Sequence, residues 1–501
     1  MRSVAAAVVP FIVAAAFGWP TPVPTTAPQP VPTVLWDGAA AASFELDVRP
    51  YDVSPDGEAR ALVRLRFRAG AGAPTRLRRG ADFDYFPTRG AAQWQTRLRF
   101  GGPAALVALR DDGPAAVRVV ANRPAGLAPR SAPFDTRGWP GPRVVAAAVG
   151  PHLVRVGWFP RVVHGTVRVE RLDVRGRRVA SVLLPGPISS WDDPEVRPGG
   201  VARYAVVRPE RGRTVVAADV PAEPPPSDAG LVRGKGAWLA FSGDPLDDVA
   251  YTKLEPERIA ATAKQAGLRY VELRLAYGAF DEVTPAAKAT VDRLIDALGA
   301  AGVAVVGWTV PRAAAFDDLA RAAAIARYRT PAGTPVRGLA VDLERGGEFM
   351  GSGPAGYAAL RDYLGVLRAA VGPRTLLVAT VEDPFLEHLD GTTFPYAAIA
   401  RAADVLQPMT YWRMLGPWDS VPKLRTAVAG SAAALRRLAG RPVPLNLGAQ
   451  TASLSARGAP PADEVAASLD AGRRAGAIGV AFYDWSGTAP EQWEAIAAAP
   501  W

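Results

Sequence analysis

The pattern of apolar and polar positions changes character twice along the chain. From residue 36 to about 125, "SFELDVRPYDV", "ARALVRLRFRA", "QWQTRLRF" and "AAVRVVA" alternate with period two between Gly and Pro punctuation, which predicts half-buried strands of a β-sandwich. A second β unit spans residues 140–222, where "HLVRVGWFP" puts Val154, Val156 and Trp158 on one face and Leu153, Arg155 and Gly157 on the other. "PAEPPPSDAG" then breaks the pattern, and a linker is expected at 223–230. Beyond it, eight short apolar runs alternate with alanine-rich helical stretches: "GAWLAFS", "YVELRLAYG", "VAVVGWTV", "GLAVDLE", "TLLVATVE", "DVLQPMTYW", "VPLNLGAQ" and "GVAFYDW". Eight β-then-α units over residues 231–501 predict a (β/α)8 TIM barrel. A doubly wound sheet would want a GxGxxG crevice motif after an early strand, and none appears there.

The N-terminus adds an address. A short basic start and the apolar run "VAAAVVPFIVAAAF" predict a signal peptide over residues 1–18, and an uncleaved anchor is the alternative. "WPTPVPTTAPQPVPT" makes residues 19–35 an extended Pro/Thr-rich spacer. The expected location is secreted, cell-surface or periplasmic, with no membrane span in the mature chain. No cysteine is present, which excludes disulfides and thiolate chemistry. Only three histidines occur, so a His-rich metal centre or a metal-dependent esterase is disfavoured, and no metal or cofactor is expected.

Charge is lopsided. Residues 231–501 carry 28 basic and 28 acidic side chains, so the net +10 lies wholly in the first 230 residues. Basic front modules suit anionic polymers of a cell envelope. Nucleic acid is not expected, because no basic-aromatic recognition motif is present.

Chemistry gathers at the C-terminal ends of the predicted barrel strands, where such barrels place their active sites. The fourth run ends in Asp342 and Glu344. Strand alternation points both inward, about 6.5 Å apart along the strand. Two acids so close resist joint ionisation, which keeps one protonated as a general acid. The alternative is a structural pair with Arg274 or Arg345. Glu272, Arg274 and Tyr277 end the second run, Trp308 the third and Glu382 the fifth. Gln407 and Met409 share a face of the sixth with Tyr411, followed by Trp412. Asn446 and Gln450 share a face of the seventh, and Tyr483, Asp484 and Trp485 end the eighth. Aromatic faces beside acids and amides suit sugar rings, although barrel ends collect aromatics for packing alone.

Three resemblances follow from these residues. "LDVRPYDVSPDGEARALVRLRFR" resembles the opening of an invasin-like immunoglobulin module, expected over 36–125. Trp158, "ISSWDDPEV" and Tyr204 in "RPGGVARYAVV" resemble a fibronectin type III domain. "GLAVDLE" with "ADVLQPMTYW" resembles the chitinase-like barrels of glycoside hydrolase family 18, and is also similar to uncharacterised bacterial glycosidase-like barrels. The family's fourth strand reads DGxDxDxE. Gly338, Asp342 and Glu344 match it, while Arg337 and Ala340 replace its first two acids. Met409 and Tyr411 match the family's sixth strand, Trp412 replaces an Asp, and Tyr483 stands for the floor tryptophan.

The resemblance implies a glycosidase in which Glu344 protonates the leaving oxygen. The substrate's acetamido group attacks, Asp342 orients that group and Tyr411 hydrogen-bonds it. A two-carboxylate variant would recruit Glu382 or Asp484. The expected partner is a β-linked polysaccharide, with N-acetylated sugars among its candidate units. The rival reading is a non-catalytic carbohydrate-binding or adhesive protein with a degenerate barrel.

Overall fold

The computed structural model describes residues 43–53, 55–56, 59–68, 78–85, 92–99, 104–111, 116–122, 130–133, 143–159, 162, 165–209, 211–240, 255–277, 280–281, 283, 285–312, 316–346 and 350–501. The expected signal peptide and Pro/Thr-rich spacer lie outside them. The described residues fall into two compact units, divided between Ala222 and Glu223.

Among the described residues, the first unit consists of β-strands and their connections. Strands β1 (Ser43–Val53), β2 (Ala59–Arg68) and β3 (Arg78–Tyr85) form one antiparallel sheet. β4 (Ala92–Arg99), β5 (Ala104–Asp111), β6 (Ala116–Asn122) and β7 (Arg130–Pro133) form another.

β8 (Arg143–Gly150), β9 (Leu153–Phe159) and β12 (Ser190–Asp193) make a three-stranded sheet. It shares an apolar core with a four-stranded sheet of β10 (Thr166–Leu172), β11 (Arg178–Pro185), β13 (Val201–Arg208) and β14 (Gly212–Asp219). Alternation along β9 carries the expected faces: Val154, Val156 and Trp158 enter that core. Arg155 is also buried, and tolerates it because Asp192 and Asp56 accept from its guanidinium at 2.6–2.8 Å. Tyr204 fills the core from β13 and donates to Asp193 at 2.9 Å.

The second unit alternates strand and helix. Its strands are β15 (Gly234–Leu239), β16 (Leu268–Tyr277), β18 (Ala304–Val310), β19 (Leu339–Leu343), β20 (Leu377–Val381), β21 (Val405–Thr410), β22 (Asn446–Gln450) and β23 (Gly479–Tyr483). They pair in parallel, and β15 bonds both β16 and β23, so the sheet closes into an eight-stranded barrel. A two-residue strand, β17 (Phe280–Asp281), pairs antiparallel with the end of β16.

Among the described residues, one α-helix follows each barrel strand: α1 (Pro256–Gln265), α2 (Pro285–Ala300), α3 (Phe316–Ala326), α4 (Gly353–Val371), α5 (Tyr396–Ala402), α6 (Val421–Ala439), α7 (Ala462–Arg474) and α8 (Pro490–Ala498). Among the described residues, no helix is long and apolar enough to cross a membrane.

Inward strand positions fill the barrel with Trp238, Tyr270, Val306, Trp308, Val378 and Val405. Two glycines make room for the rings. A Cβ on Gly236 would sit 2.2 Å from the Tyr270 ring, and one on Gly448 would sit 2.8 Å from Trp238.

Lys235 closes the opposite, N-terminal end. Its buried ammonium donates to the carbonyls of Ile496, Ala497 and Ala499 at 2.7, 3.4 and 3.2 Å, where α8 leaves its last acceptors unpaired. Lys235→Met removes the donor from these carbonyls and is expected to destabilise the unit by about 1–3 kcal/mol, read by urea unfolding.

Candidate active site

At the C-terminal end of the barrel four aromatic side chains from different strands meet. Trp238 of β15 lies 6.4 Å from Trp308 of β18, 6.5 Å from Tyr411 just past β21, and 5.5 Å from Tyr483 at the end of β23, ring centre to ring centre. Tyr483 completes the set at 5.4 Å from Tyr411 and 6.5 Å from Trp308. Most of these contacts are edge-on or tilted, the arrangements aromatic quadrupoles favour. Met409 joins the same cluster.

The two acids of the fourth barrel strand sit at different depths. Asp342 is on β19 and only 6% exposed, and its Oδ1 has no hydrogen-bond partner. Burial pushes its carboxyl up to about 7; Arg274 pulls the other way and Glu382 adds to the rise. The Trp308 indole N–H stabilises the charged form weakly, its nitrogen falling short of full hydrogen-bond geometry. Arg274 itself stacks over the Trp308 ring, 5.2 Å from its centre.

Glu344 is the first residue beyond β19 and is half-buried. The tyrosines register both acids. Burial raises the Tyr411 phenol well above its ordinary value, with Tyr483, Asp342 and Glu344 adding. Tyr483 is pushed up to about 12, mainly by burial, with the same two acids contributing. Asp342, Glu344, Arg274, Trp308, Met409, Tyr411 and Tyr483 are thus brought together.

Glu272, Gln407 and Asn446 are placed elsewhere, fully buried inside the barrel. Gln407 donates to Glu272 at 2.8 Å and to Asn446 at 3.1 Å, and accepts from Thr380 at 2.8 Å. Asn446 donates onward to the Tyr270 hydroxyl and the Val232 carbonyl, at 2.7 and 2.8 Å. These groups satisfy one another instead of offering themselves to a ligand. One atom is left over, Glu272 Oε2, which has no partner.

Burial pushes Glu272 up to about 8, with the Asp342 charge adding and Gln407 opposing. Both raised acids hold protons in the folded barrel that the unfolded chain releases near its ordinary carboxylate range. Stability therefore falls as pH rises from about 4 through about 8. Thermal unfolding between pH 5 and 9 is expected to show that decline, and Glu272→Gln, neutral throughout, to flatten it.

Glu382 is engaged as well. Its carboxylate accepts from the Arg345 amide at 2.7 Å and from its guanidinium at 3.2 Å, while that guanidinium also reaches Glu387 at 2.6 Å. Burial would raise Glu382, but the contacts with Glu387 and Arg345 outweigh it and hold the carboxyl below its usual range. Glu387 takes the opposite shift, up to about 8, from burial and from Glu382. This cluster pins the backbone immediately after Glu344.

Trp412 does not enter the cluster. It is fully buried and donates to Glu464 of α7 at 2.9 Å, beside a two-pronged Arg413–Glu464 pair at 2.8 Å. Gln450 accepts from the Arg413 and Met414 amides at 3.2 Å, clamping the loop that begins with Tyr411. Asp484 caps a short 3-10 turn (Trp485–Gly487), and Trp485 packs on Trp493 of α8 with ring centres 4.7 Å apart. Tyr277 ends β16, and its side chain lies outside the described residues.

Sequence reasoning did not single out Trp238 and Glu387 beside the candidate residues, and named Arg345 only as a structural partner for the acid pair. Trp238 was findable, since it lies on a predicted strand with the inward parity of Gly236. Among the described residues, no three His, Asp or Glu side chains gather as a metal-binding group.

Several solved structures are similar to parts of this chain at low TM-scores. A family 39 glycoside hydrolase from Bacteroides cellulosilyticus WH2 is 13% identical over 72% of this chain and 82% of its own, with a TM-score of 0.35. A chitinase from Chromobacterium violaceum is 14% identical over 53% and 98%, at 0.36. The spore cortex-lytic enzyme SleL of Bacillus cereus is 13% identical over 56% and 76%, also at 0.36. Scores this low carry no argument, and the barrel rests on its own strand pairing. No family model matches the chain, and no curated protein matches it.

Proposed function

We propose that the barrel is a glycosidase acting on a β-linked polysaccharide with N-acetylated units. The observation that carries this reading is the placement of Glu344. It is half-buried just past β19, electrostatically in touch with Tyr411 and Tyr483, and two residues from the buried Asp342. In its protonated form Glu344 gives its proton to the glycosidic oxygen as the bond to the anomeric carbon breaks. The substrate's acetamido oxygen forms the replacing bond, Asp342 holds the acetamido N–H and Tyr411 hydrogen-bonds the group. The Glu344 carboxylate then takes a proton from the water that opens the cyclic intermediate. A protein nucleophile is disfavoured, because Glu382 is bound to Arg345 and Asp484 accepts from Gly487 and Ser486 at 2.9 and 2.7 Å.

The front of the chain fits a secreted envelope protein. An invasin-like immunoglobulin module (36–125) and a fibronectin type III-like module (140–222) would carry the barrel, their basic excess favouring anionic envelope polymers. The paired sheets around Trp158 and Tyr204 support the second assignment. A non-catalytic sugar-binding protein is the second reading. It is favoured by Ala340, which lies in the apolar core where the resembled family carries an acid.

Incubation of the full chain with chitin oligomers, peptidoglycan and β-glucan, followed by product analysis, tests the choice. Fragments from the N-acetylated polymers alone are expected. Retained binding without fragments would select the second reading.

A further inference from the structure

A cavity of about 450 Å3 opens where the 3-10 turn after β23 meets the first turns of α1 and α8. Trp485 and Trp493 form one wall, their rings tilted by 52°, and both are half-buried. Glu255 and Arg258 stand exposed in its lining, Arg258 donating to Glu255 at 3.0 Å, and Thr262 adds a hydroxyl.

We propose that this cavity is an accessory subsite that takes a neutral pyranose unit of the polysaccharide whose neighbouring units lie at the barrel mouth. The identity of the polymer rests on the glycosidase reading; the site itself rests on its lining. Angled indoles offer an apolar wall to the C–H face of a sugar. The Glu255–Arg258 pair supplies donors and acceptors for hydroxyls while its charges cancel, so a neutral ligand suits it better than an anion. The volume falls in the range of about 300–1,000 Å3 typical of small-ligand sites. Continuity with the barrel mouth is covalent. Tyr483 packs in the central cluster and Trp485 follows two residues later, so their Cα atoms are at most about 7 Å apart. The proposed subsite thus starts within two residues of the central cluster along the chain.

The test is calorimetric titration of full-length Glu344→Gln protein, with and without Trp493→Ala, using the dimer and hexamer of β-1,4-linked N-acetylglucosamine. Trp493→Ala is expected to weaken hexamer binding about tenfold and leave dimer binding unchanged, and Trp493→Phe to recover most of the loss. Equal hexamer affinity with and without Trp493, equal weakening by Ala and Phe, or no hexamer binding to either protein would overturn the subsite. Trp493-dependent hexamer binding in a wild-type chain that releases no product would sink the glycosidase reading and leave the subsite standing.

Discussion

Glu344→Gln is expected to lower the rate of polysaccharide hydrolysis by about 10²–10⁴-fold while leaving substrate affinity within a few-fold of wild type. The amide keeps the shape and one acceptor but has no acidic proton to transfer to the leaving oxygen. Its position makes the effect separable from folding. Glu344 lies beyond the last paired residue of β19 and is half-buried, and glutamine fills the same volume. Initial rates and equilibrium binding on the same preparations check it. A variant that hydrolyses at the wild-type rate would remove Glu344 from the chemistry.

The second large effect concerns stability. Trp238→Ala is expected to cost about 3–5 kcal/mol, read from denaturant midpoints. Trp238 is among the largest fully buried side chains, and it touches Trp308, Tyr411 and Tyr483 from three other strands. Gly448 leaves the space its ring occupies and has no side chain of its own to fill the void. Activity should fall with stability, because the same ring supports Tyr411 and Tyr483. A loss below about 1 kcal/mol would mean that the aromatic layer repacks freely and cannot hold a site in place.

Much of the barrel was legible in the sequence, because a buried parallel strand is a short apolar run and a helix shows its own period. All eight runs became strands, with ends displaced by a few residues. The seventh starts at Asn446 instead of Val443, since Pro444 has no N–H to give a ladder. The eighth stops at Tyr483, where Asp484 turns the chain into a 3-10 cap and carries Trp485 out to α8.

Period-two alternation tells inward from outward but not depth. It therefore assigned Glu272, Gln407 and Asn446 to a ligand, whereas they are fully buried and bonded to one another. Trp412 follows a strand that ends at Thr410, so strand parity no longer applies to it and its ring packs toward Glu464. The Arg345–Glu382–Glu387 cluster joins segments 37 and 42 residues apart, and no local pattern announces such a meeting.

The most direct test of a single catalytic acid working with the substrate's own acetamido group is the anomer first released. Proton NMR of the wild-type, full-length chain acting on a β-linked N-acetylglucosamine oligomer should show the β product first, with mutarotation following. Release of the α product, or equally fast cleavage of the matching glucose oligomer, would contradict the mechanism.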